Sequence, residues 1–344
     1  MKIISHETQI KAGCFDLNLG ISVAEETLRM YHNGEILFPD KVSQIFNQEE
    51  QTRINCLPAT VLPKSVCGMK WVAVFPPNPV RYHCPNLNAS ILLSEITTGY
   101  PIAFMDGTLC SDIRTASVSA VAAKYLARKD SEVIGFLGGG EQARMHLLAI
   151  SKVLPNLKVC KIATRRKETE TAFIDQMRQL LPDMKFISCD ADYEKAATDS
   201  DVIVTAISAQ LPLLKAAWIK PGAYYNHVGG WEDEYEVPKI ADKIVCDDWN
   251  SVKHRTQTIS RLYQKGELKD EDIHADLHEI VAGSKPGRES ESEIIYFNPV
   301  GLSYVDVSLA YEFYKKALEL ESEMPTLDFF RSSVFDTAKE FIKN

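Results

Sequence analysis

The feature that most constrains the fold is a strand that runs straight into three glycines and then a helix. Residues 132–137 (EVIGFL) are followed by Gly138, Gly139 and Gly140, then by Glu141, Gln142, Ala143 and a helical pattern over 141–153. In the spacing G-x-G-x-x-A, Gly138 makes the tight turn and Gly140 lets a backbone approach a pyrophosphate. Ala143 packs helix on strand. Free N–H groups at the helix start, around Glu141 and Gln142, and the helix dipole favour a phosphate there. The alternative is a glycine-rich turn without a ligand. The context favours the dinucleotide reading, because from Ser131 onward strand and helix alternate. Strands are expected at 132–137, 158–163, 185–188, 201–206, 223–228 and 243–247, with helices at 141–153, 167–181 and 193–198 between them. These near-continuous apolar runs predict an α/β, Rossmann-type, doubly wound parallel sheet covered on both faces.

Ahead of it the pattern differs. A short helix is expected at 22–34, closed by Gly34, and strands at 67–75, 90–94 and 101–105, separated by Pro- and Thr-rich turns. This predicts a second, mostly antiparallel α+β substrate and dimerisation domain over 1–114. A helix at 112–128, capped by Ser111 or Asp112, leads into the dinucleotide domain at 115–305. Amphipathic helices at 306–320 and 333–342 are expected to return to the first domain, completing it with residues 306–344.

Composition excludes other classes. With 344 residues a prior of about two domains applies, at roughly 150 residues each. Apolar residues at 45% and charged residues at 25% describe an ordinary globular chain. The net charge of -9 offers no global field for nucleic acid or an anionic membrane, so neither is expected as a partner. Eight scattered cysteines without a CxxC pair read as reduced, buried thiols. The start, MKIISHETQIKAG, has no apolar core of signal-peptide length. The expectation is a cytoplasmic protein.

Charged residues in unlikely places mark a candidate site. Lys70 lies inside the apolar run CGMKWVAVF. Either it reaches a functional cleft, where desolvation lets it exchange protons near neutrality, or it lies on the wet face of the strand. Arg114, read in the first turn of SDIRTASVSAVAA, is a cation at the positive end of a helix. It either clamps a carboxylate, with Thr115 adding a hydroxyl, or pairs with Asp112 at the surface. Lys41 is a third cation. The second parallel strand ends in Thr164, Arg165 and Arg166, with no acid between Glu141 and Glu168. A hydroxyl and cations therefore stand where a ribose 2′-phosphate would fall, which favours NADP over NAD; the alternative is a solvated basic helix start. Strand ends bring Thr205, Asn226, His227 and Val228 toward the cofactor, although a packed, hydrogen-bonded role suits His227 better than catalysis. The acidic run Glu232, Asp233, Glu234 and Glu236 either supplies a proton carrier or is a solvated loop. His274 and His278, four apart, could share a helix face, but no third ligand accompanies them and no metal site is expected.

GMKW at 68–71, TGYPIAFMDGTLCSDIRTASVSAVAAKYLAR at 98–128, LGGGEQA at 137–143, SDVIVTA at 200–206, NHVGG at 226–230 and FNPVG at 297–301 together resemble the ornithine cyclodeaminase/mu-crystallin family over nearly the whole length. The resemblance implies a homodimer of two-domain subunits acting on α-amino acids through imines. The activity would be that of an NAD(P)-dependent amino-acid dehydrogenase or imine reductase. The alternatives are an ornithine or lysine cyclodeaminase and a non-catalytic NADPH-binding protein. It also implies that Lys70 and Arg114 hold the substrate carboxylate, with Arg114 and Pro299 bordering the cofactor, and that Lys41 falls near a further carboxylate-binding arginine. Cyclodeaminases carry an aspartate after the paired glycines. Here Trp231 stands there, and a shifted loop would let Asp233 substitute. GMKW and GYPIAFMDGT also look like the siderophore-pathway dehydrogenase of N-(2-amino-2-carboxyethyl)-L-glutamate.

Overall fold

The computed structural model describes residues 1–207, 211–320, 324–328 and 333–342. Two sheets organise the chain. The parallel sheet has eight strands in the spatial order Lys185–Ser188, Val159–Ala163, Val133–Leu137, Val202–Thr205, Tyr224–His227, Ile295–Asn298, Lys243–Cys246, Ala275–Asp276. The order reverses direction between Val133–Leu137 and Val202–Thr205, which is the topological switch point where such sheets take their ligands. All six expected strands are present, each within two residues at either end. Two were not expected. Ala275–Asp276 is too short to show a period. Ile295–Asn298, buried at every position, inserts between two strands that precede it in sequence.

The first sheet has seven strands. Its path runs Lys2–Ile4, Pro101–Asp106, Leu87–Glu95, Val66–Val74, Thr52–Val61, Ile36–Leu37, with Val42–Asn47 also paired to Thr52–Val61. Every pairing is antiparallel except Lys2–Ile4 with Pro101–Asp106. In Val66–Val74 the residues Val66, Gly68, Lys70 and Val72 face inward, and Lys70 sits beside Leu57 and Ile91 in register. A period of two thus puts a lysine in a row of core residues.

Three helices join the sheets. Leu17–His32 starts five residues before its expected position, because the Asp16 carboxylate caps it by accepting from the N–H groups of Asn18 and Leu19. Thr108–Leu126 starts four residues earlier than expected, after Gly107, so neither Ser111 nor Asp112 is its cap. Arg114 therefore lies in the second turn, and the argument from the helix dipole does not apply to it. The same helix runs through the boundary expected at 114/115. It packs on Leu17–His32 and on Glu141–Val153, and its Ala- and Ser-rich sequence suits burial on nearly all sides. Ser303–Leu318 lies against Thr52–Val61, Val66–Val74 and Leu17–His32, so the chain returns to the first sheet after the second is complete. No described helix is long and apolar enough to cross a membrane.

Candidate active site

The glycine loop has the shape a pyrophosphate needs. Gly138 has φ +109°, and a Cβ there would lie 2.5 Å from the Ala206 carbonyl oxygen, so only glycine fits. Space beside Gly140 is open, and helix Glu141–Val153 begins there without a side-chain cap, leaving its first N–H groups for a ligand. Behind it Ala143 is fully buried. The Gln142 side chain donates to Asp112 at 2.7 Å. Burial, then the nearby Glu141, pushes the Asp112 carboxyl up to about 6. Asp112 thus pairs with Gln142 and not with Arg114.

At the end of Val159–Ala163, the Thr164 backbone N–H donates to Glu170 at 3.0 Å, and its hydroxyl donates to the Arg166 carbonyl at 2.7 Å. Glu170 is fully buried and also accepts from Ser188, Asp190 and Ala191. This carboxylate is spent on shaping the loop. Arg165 and Arg166 are exposed, and neither forms an ion pair among the described residues. The neighbouring Lys167 pairs with Asp190.

The second centre is a buried cluster of three charges. Lys70 Nζ donates to Asp306 Oδ1 at 2.7 Å, and Arg114 Nε donates to the same oxygen at 2.7 Å. Lys70 is 1% exposed and Asp306 is fully buried, whereas the Arg114 side chain is 11% exposed. Gly68 explains the approach of the helix carrying Asp306: a Cβ there would lie 2.8 Å from the Leu92 carbonyl oxygen and 3.2 Å from Val307. Burial, reinforced by the Arg114 charge, lowers Lys70 to about 8 against the opposing pull of Asp306. Of the two readings of Lys70, the wet strand face is therefore excluded.

Arg114 opens on a cleft of about 520 Å³. Its wall includes Lys41, Thr115, Val228 and Pro299 from the expected set, together with Arg53, Asp247, His254 and Arg255. Lys70 is not on that wall; it lies one contact behind Arg114. Burial lowers Arg53, and lowers Arg255 to about 10. Among the described residues Lys41, Arg53 and Arg255 form no ion pair, and the cleft wall carries a single acid, Asp247. Asp247 accepts the N–H groups of Val300 and Gly301, both at 2.8 Å, and fixes the loop around Pro299. Burial raises its carboxyl to about 7.

The loop after Tyr224–His227 is pinned from inside. Glu232, fully buried, accepts from Thr205 at 2.7 Å and from the N–H groups of Ile207 and Gly229. The Thr205 hydroxyl is therefore engaged, 2.9 Å from Tyr225. His227 Nδ1 lies 2.9 Å from Asp233 Oδ1 and 2.6 Å from the Tyr296 hydroxyl. Burial opposes the imidazolium, but Asp233 and Glu232 outweigh it and raise His227. Asp233 is fully buried, also bonded to Thr258, and lies off the cleft wall. The expected shift that would bring Asp233 to the cleft is absent here, because His227 and Thr258 hold it inside. Asn226 is fully buried, and among the described residues neither its amide nitrogen nor its oxygen has a hydrogen-bond partner. His274 bonds the Pro286 carbonyl from outside the helix that holds His278, so the two do not meet on one face.

Asp306, Arg53 and Arg255 were missed by sequence reading. Asp306 had a usable signal: it is an acid on the apolar stripe of an amphipathic helix, about one turn from Leu302 and Leu309. Arg53 and Arg255 had none, since a basic residue in an alternating strand or in a KHR run is ordinarily solvated.

Comparisons over the whole chain place the fold among known proteins. The model of the ornithine cyclodeaminase/mu-crystallin family matches residues 3–321. An N-((2S)-2-amino-2-carboxyethyl)-L-glutamate dehydrogenase of Staphylococcus aureus is 31% identical over 253 residues, covering 74% of this chain and 75% of that protein. The Δ1-pyrroline-2-carboxylate reductase of Thermococcus litoralis, solved with NADH and L-proline, superposes with a TM-score of 0.89 at 30% identity over 95% of this chain and 100% of that one. An archaeal alanine dehydrogenase dimer with bound NAD gives 0.88 at 32% identity, covering 96% and 99%. Fold and relatives define the class: NAD(P)-dependent oxidoreductases acting on amino acids and their imines. Within that class, the chain belongs to the ornithine cyclodeaminase/mu-crystallin family.

Proposed function

We propose that this protein oxidises the C–N bond of an α-amino acid bearing more than one carboxylate, or reduces the corresponding imine. The observation that carries this is charge. Lys41, Arg53 and Arg255 face the same cleft as Arg114 without ion-pair partners among the described residues. Unpaired, partly buried cations are costly unless an anion joins them. One α-carboxylate on Arg114 leaves three cations over. A second or third carboxylate satisfies them, as the substrate named for the Staphylococcus aureus relative would.

A nicotinamide coenzyme, its pyrophosphate held at the Gly138–Gly140 loop, would supply or accept the hydride. The chain's own residues bind and orient. Arg114 holds the α-carboxylate and so fixes the α-hydrogen; placing reacting atoms at near-attack distance contributes much of the acceleration. Lys70, behind Arg114, adds positive charge and carries a proton near neutrality. Oxidation moves a hydride from the α-carbon and releases a proton from nitrogen, leaving an imine. Water then adds to give a 2-oxo acid and an amine. Trp231 in place of the cyclodeaminase aspartate, and the enclosed Asp233, weigh against ring closure with loss of ammonia. The protein acts as a homodimer in this reading, as the archaeal alanine dehydrogenase does.

The test is a screen that follows reduced-nicotinamide absorbance and ammonia together. The expected result is kcat/KM at least tenfold higher for an N-linked di- or tricarboxylate amino acid than for L-alanine or a cyclic monocarboxylate imine. Equal rates on the monocarboxylates would overturn the substrate class. Ammonia release without net absorbance change would overturn the dehydrogenase reading.

Coenzyme choice follows from Arg165 and Arg166, exposed and outside any ion pair among the described residues, beside the Thr164 turn. NADPH is the favoured coenzyme. Charge-assisted contacts to a phosphate are each worth about 1.5–3 kcal/mol. An R165S/R166S variant is expected to raise KM for NADPH by tens of fold while KM for NADH stays within about threefold. An unchanged ratio would refute the preference.

A further inference from the structure

We propose that Asp306 is a positioning residue for this site: its single oxygen Oδ1 holds Lys70 and Arg114 together as one unit carrying one net positive charge, which is the counter-ion for the substrate carboxylate. The inference rests on the reading of Arg114 as the carboxylate anchor and goes beyond it by assigning what keeps that anchor aimed and its neighbour Lys70 charged.

The geometry makes the case. Two cations lie 2.7 Å from one carboxylate oxygen in the interior of the protein. On the two flanking strands Lys70 meets only Leu57 and Ile91 in register. From helix Thr108–Leu126 it faces Arg114 and Cys110, and from helix Ser303–Leu318 it faces Asp306. Burial pushes the Cys110 thiol far up, so it stays neutral. Asp306 is thus the one anion among these groups. Without it, repulsion from Arg114 and desolvation both act against the lysine charge. Arg114, whose guanidinium cannot release its proton, would keep its charge and lose its tether. Among the described residues, Oδ2 of Asp306 is buried without a hydrogen-bond partner. A buried ion cluster with one oxygen unsatisfied is weak evidence for stability, because replacing the whole cluster by apolar residues is often neutral or stabilising, so its presence points to a role in the site.

The position is built for this contact. Asp306 follows Ser303, whose hydroxyl donates to the Pro58 carbonyl at 2.7 Å, tying the start of this helix to the strand beside Lys70. Gly68 lets the helix come close enough. The segment arrives from the far end of the sequence, so the site is complete only when the chain has returned to its first sheet.

The test reads Lys70 directly. In full-length protein carrying 13Cε-labelled lysine, one resonance should titrate near pH 8, and its absence from K70M assigns it. In D306N that midpoint should fall by more than one pH unit, whether or not a substrate has been found. In D306E, which keeps the charge, it should stay within half a unit. With a substrate in hand, D306N should lower kcat/KM at least a hundredfold at pH 7.5, chiefly through KM, with coenzyme affinity within threefold. Adding D306N to K70M should cost less than a further threefold, because the two act through one another. An unmoved midpoint in D306N overturns the proposal, as do independent, multiplicative losses in the double variant. Should D306N fail to fold, D306E decides: a midpoint displaced despite the retained charge overturns it equally. If the midpoint behaves as expected while every candidate substrate is inert, the functional reading fails and the positioning role stands.

Discussion

Replacing Lys70 by methionine is expected to lower kcat/KM by about a thousandfold, equivalent to roughly 4 kcal/mol of transition-state stabilisation, with the coenzyme dissociation constant changed less than threefold. The reason is charge arithmetic. Lys70 and Arg114 share Asp306, so the cluster holds two positive charges and one negative. Removing Lys70 leaves Arg114 fully compensated, and the substrate carboxylate meets a neutral pair. Methionine nearly preserves the volume and the apolar stem, so the core between Leu57 and Ile91 is disturbed little. Steady-state kinetics together with coenzyme fluorescence separate the two effects. A loss below tenfold would remove Lys70 from the site.

The same lysine sets a pH dependence. Its folded-state value is lowered to about 8, mainly by burial and then by Arg114. Substrate binding that needs the ammonium is complete below that value and lost as the pH rises through it. The kcat/KM profile should therefore fall above about pH 8 in the wild type, and that limb should vanish in K70M. For stability the sign is opposite. Between about 8 and the ordinary lysine value, the unfolded chain holds a proton that the folded one has released, so this group adds stability as the pH rises across that window.

The second large effect belongs to Gly138. A Gly138→Ala variant places Cβ 2.5 Å from the Ala206 carbonyl oxygen and 2.7 Å from Ile207 Cγ2, at φ +109°. Both contacts are shorter than real carbon atoms tolerate, and the backbone conformation itself costs about 1–3 kcal/mol for a residue with a side chain. The loop between Val133–Leu137 and Glu141–Val153 must shift, and the N–H groups at Gly140 shift with it. The expected outcome is at least a tenfold rise in the dissociation constant for NADPH and a lower Tm. Gly140→Ala is the control. Its Cβ would meet no protein atom within 4 Å, so its Tm should stay near that of the wild type while coenzyme binding weakens by direct obstruction of the phosphate. Calorimetric titration and thermal melts check both, and a Gly138→Ala protein that binds coenzyme normally would refute the cradle.

Much of this was legible in the chain. The parallel strands announced themselves as short apolar runs punctuated by glycine and followed by amphipathic helices. Hydrophobic burial and backbone hydrogen bonding are local demands, and they repeat at a readable period. Lys70 was legible for the opposite reason: it violates its local pattern, and a cation in an apolar row needs a compensating group somewhere. Local pattern failed where partners are far apart. Ile295–Asn298 has no period of its own and takes its place by pairing with strands about seventy and fifty residues earlier. The start of the helix bearing Arg114 was misjudged because polar residues suited to a cap, Ser111 and Asp112, lie inside it, where the fold buries one and bonds the other to Gln142.

What the sequence determined by itself is the glycine cradle, the order of strands and helices, and the need for an anion near Lys70, a cation in an apolar row. What only the tertiary structure decided is which anion comes first. Asp306, 192 residues from Arg114 and 236 from Lys70, reaches both through a helix that folds back across the first sheet. The structure also decided that Asp233 turns inward to His227 and Thr258, and that Arg53 and Arg255 join Arg114 on one cleft. Charge acts through space over a few ångströms whatever the separation along the chain, so such pairings become visible only once packing has brought the groups together.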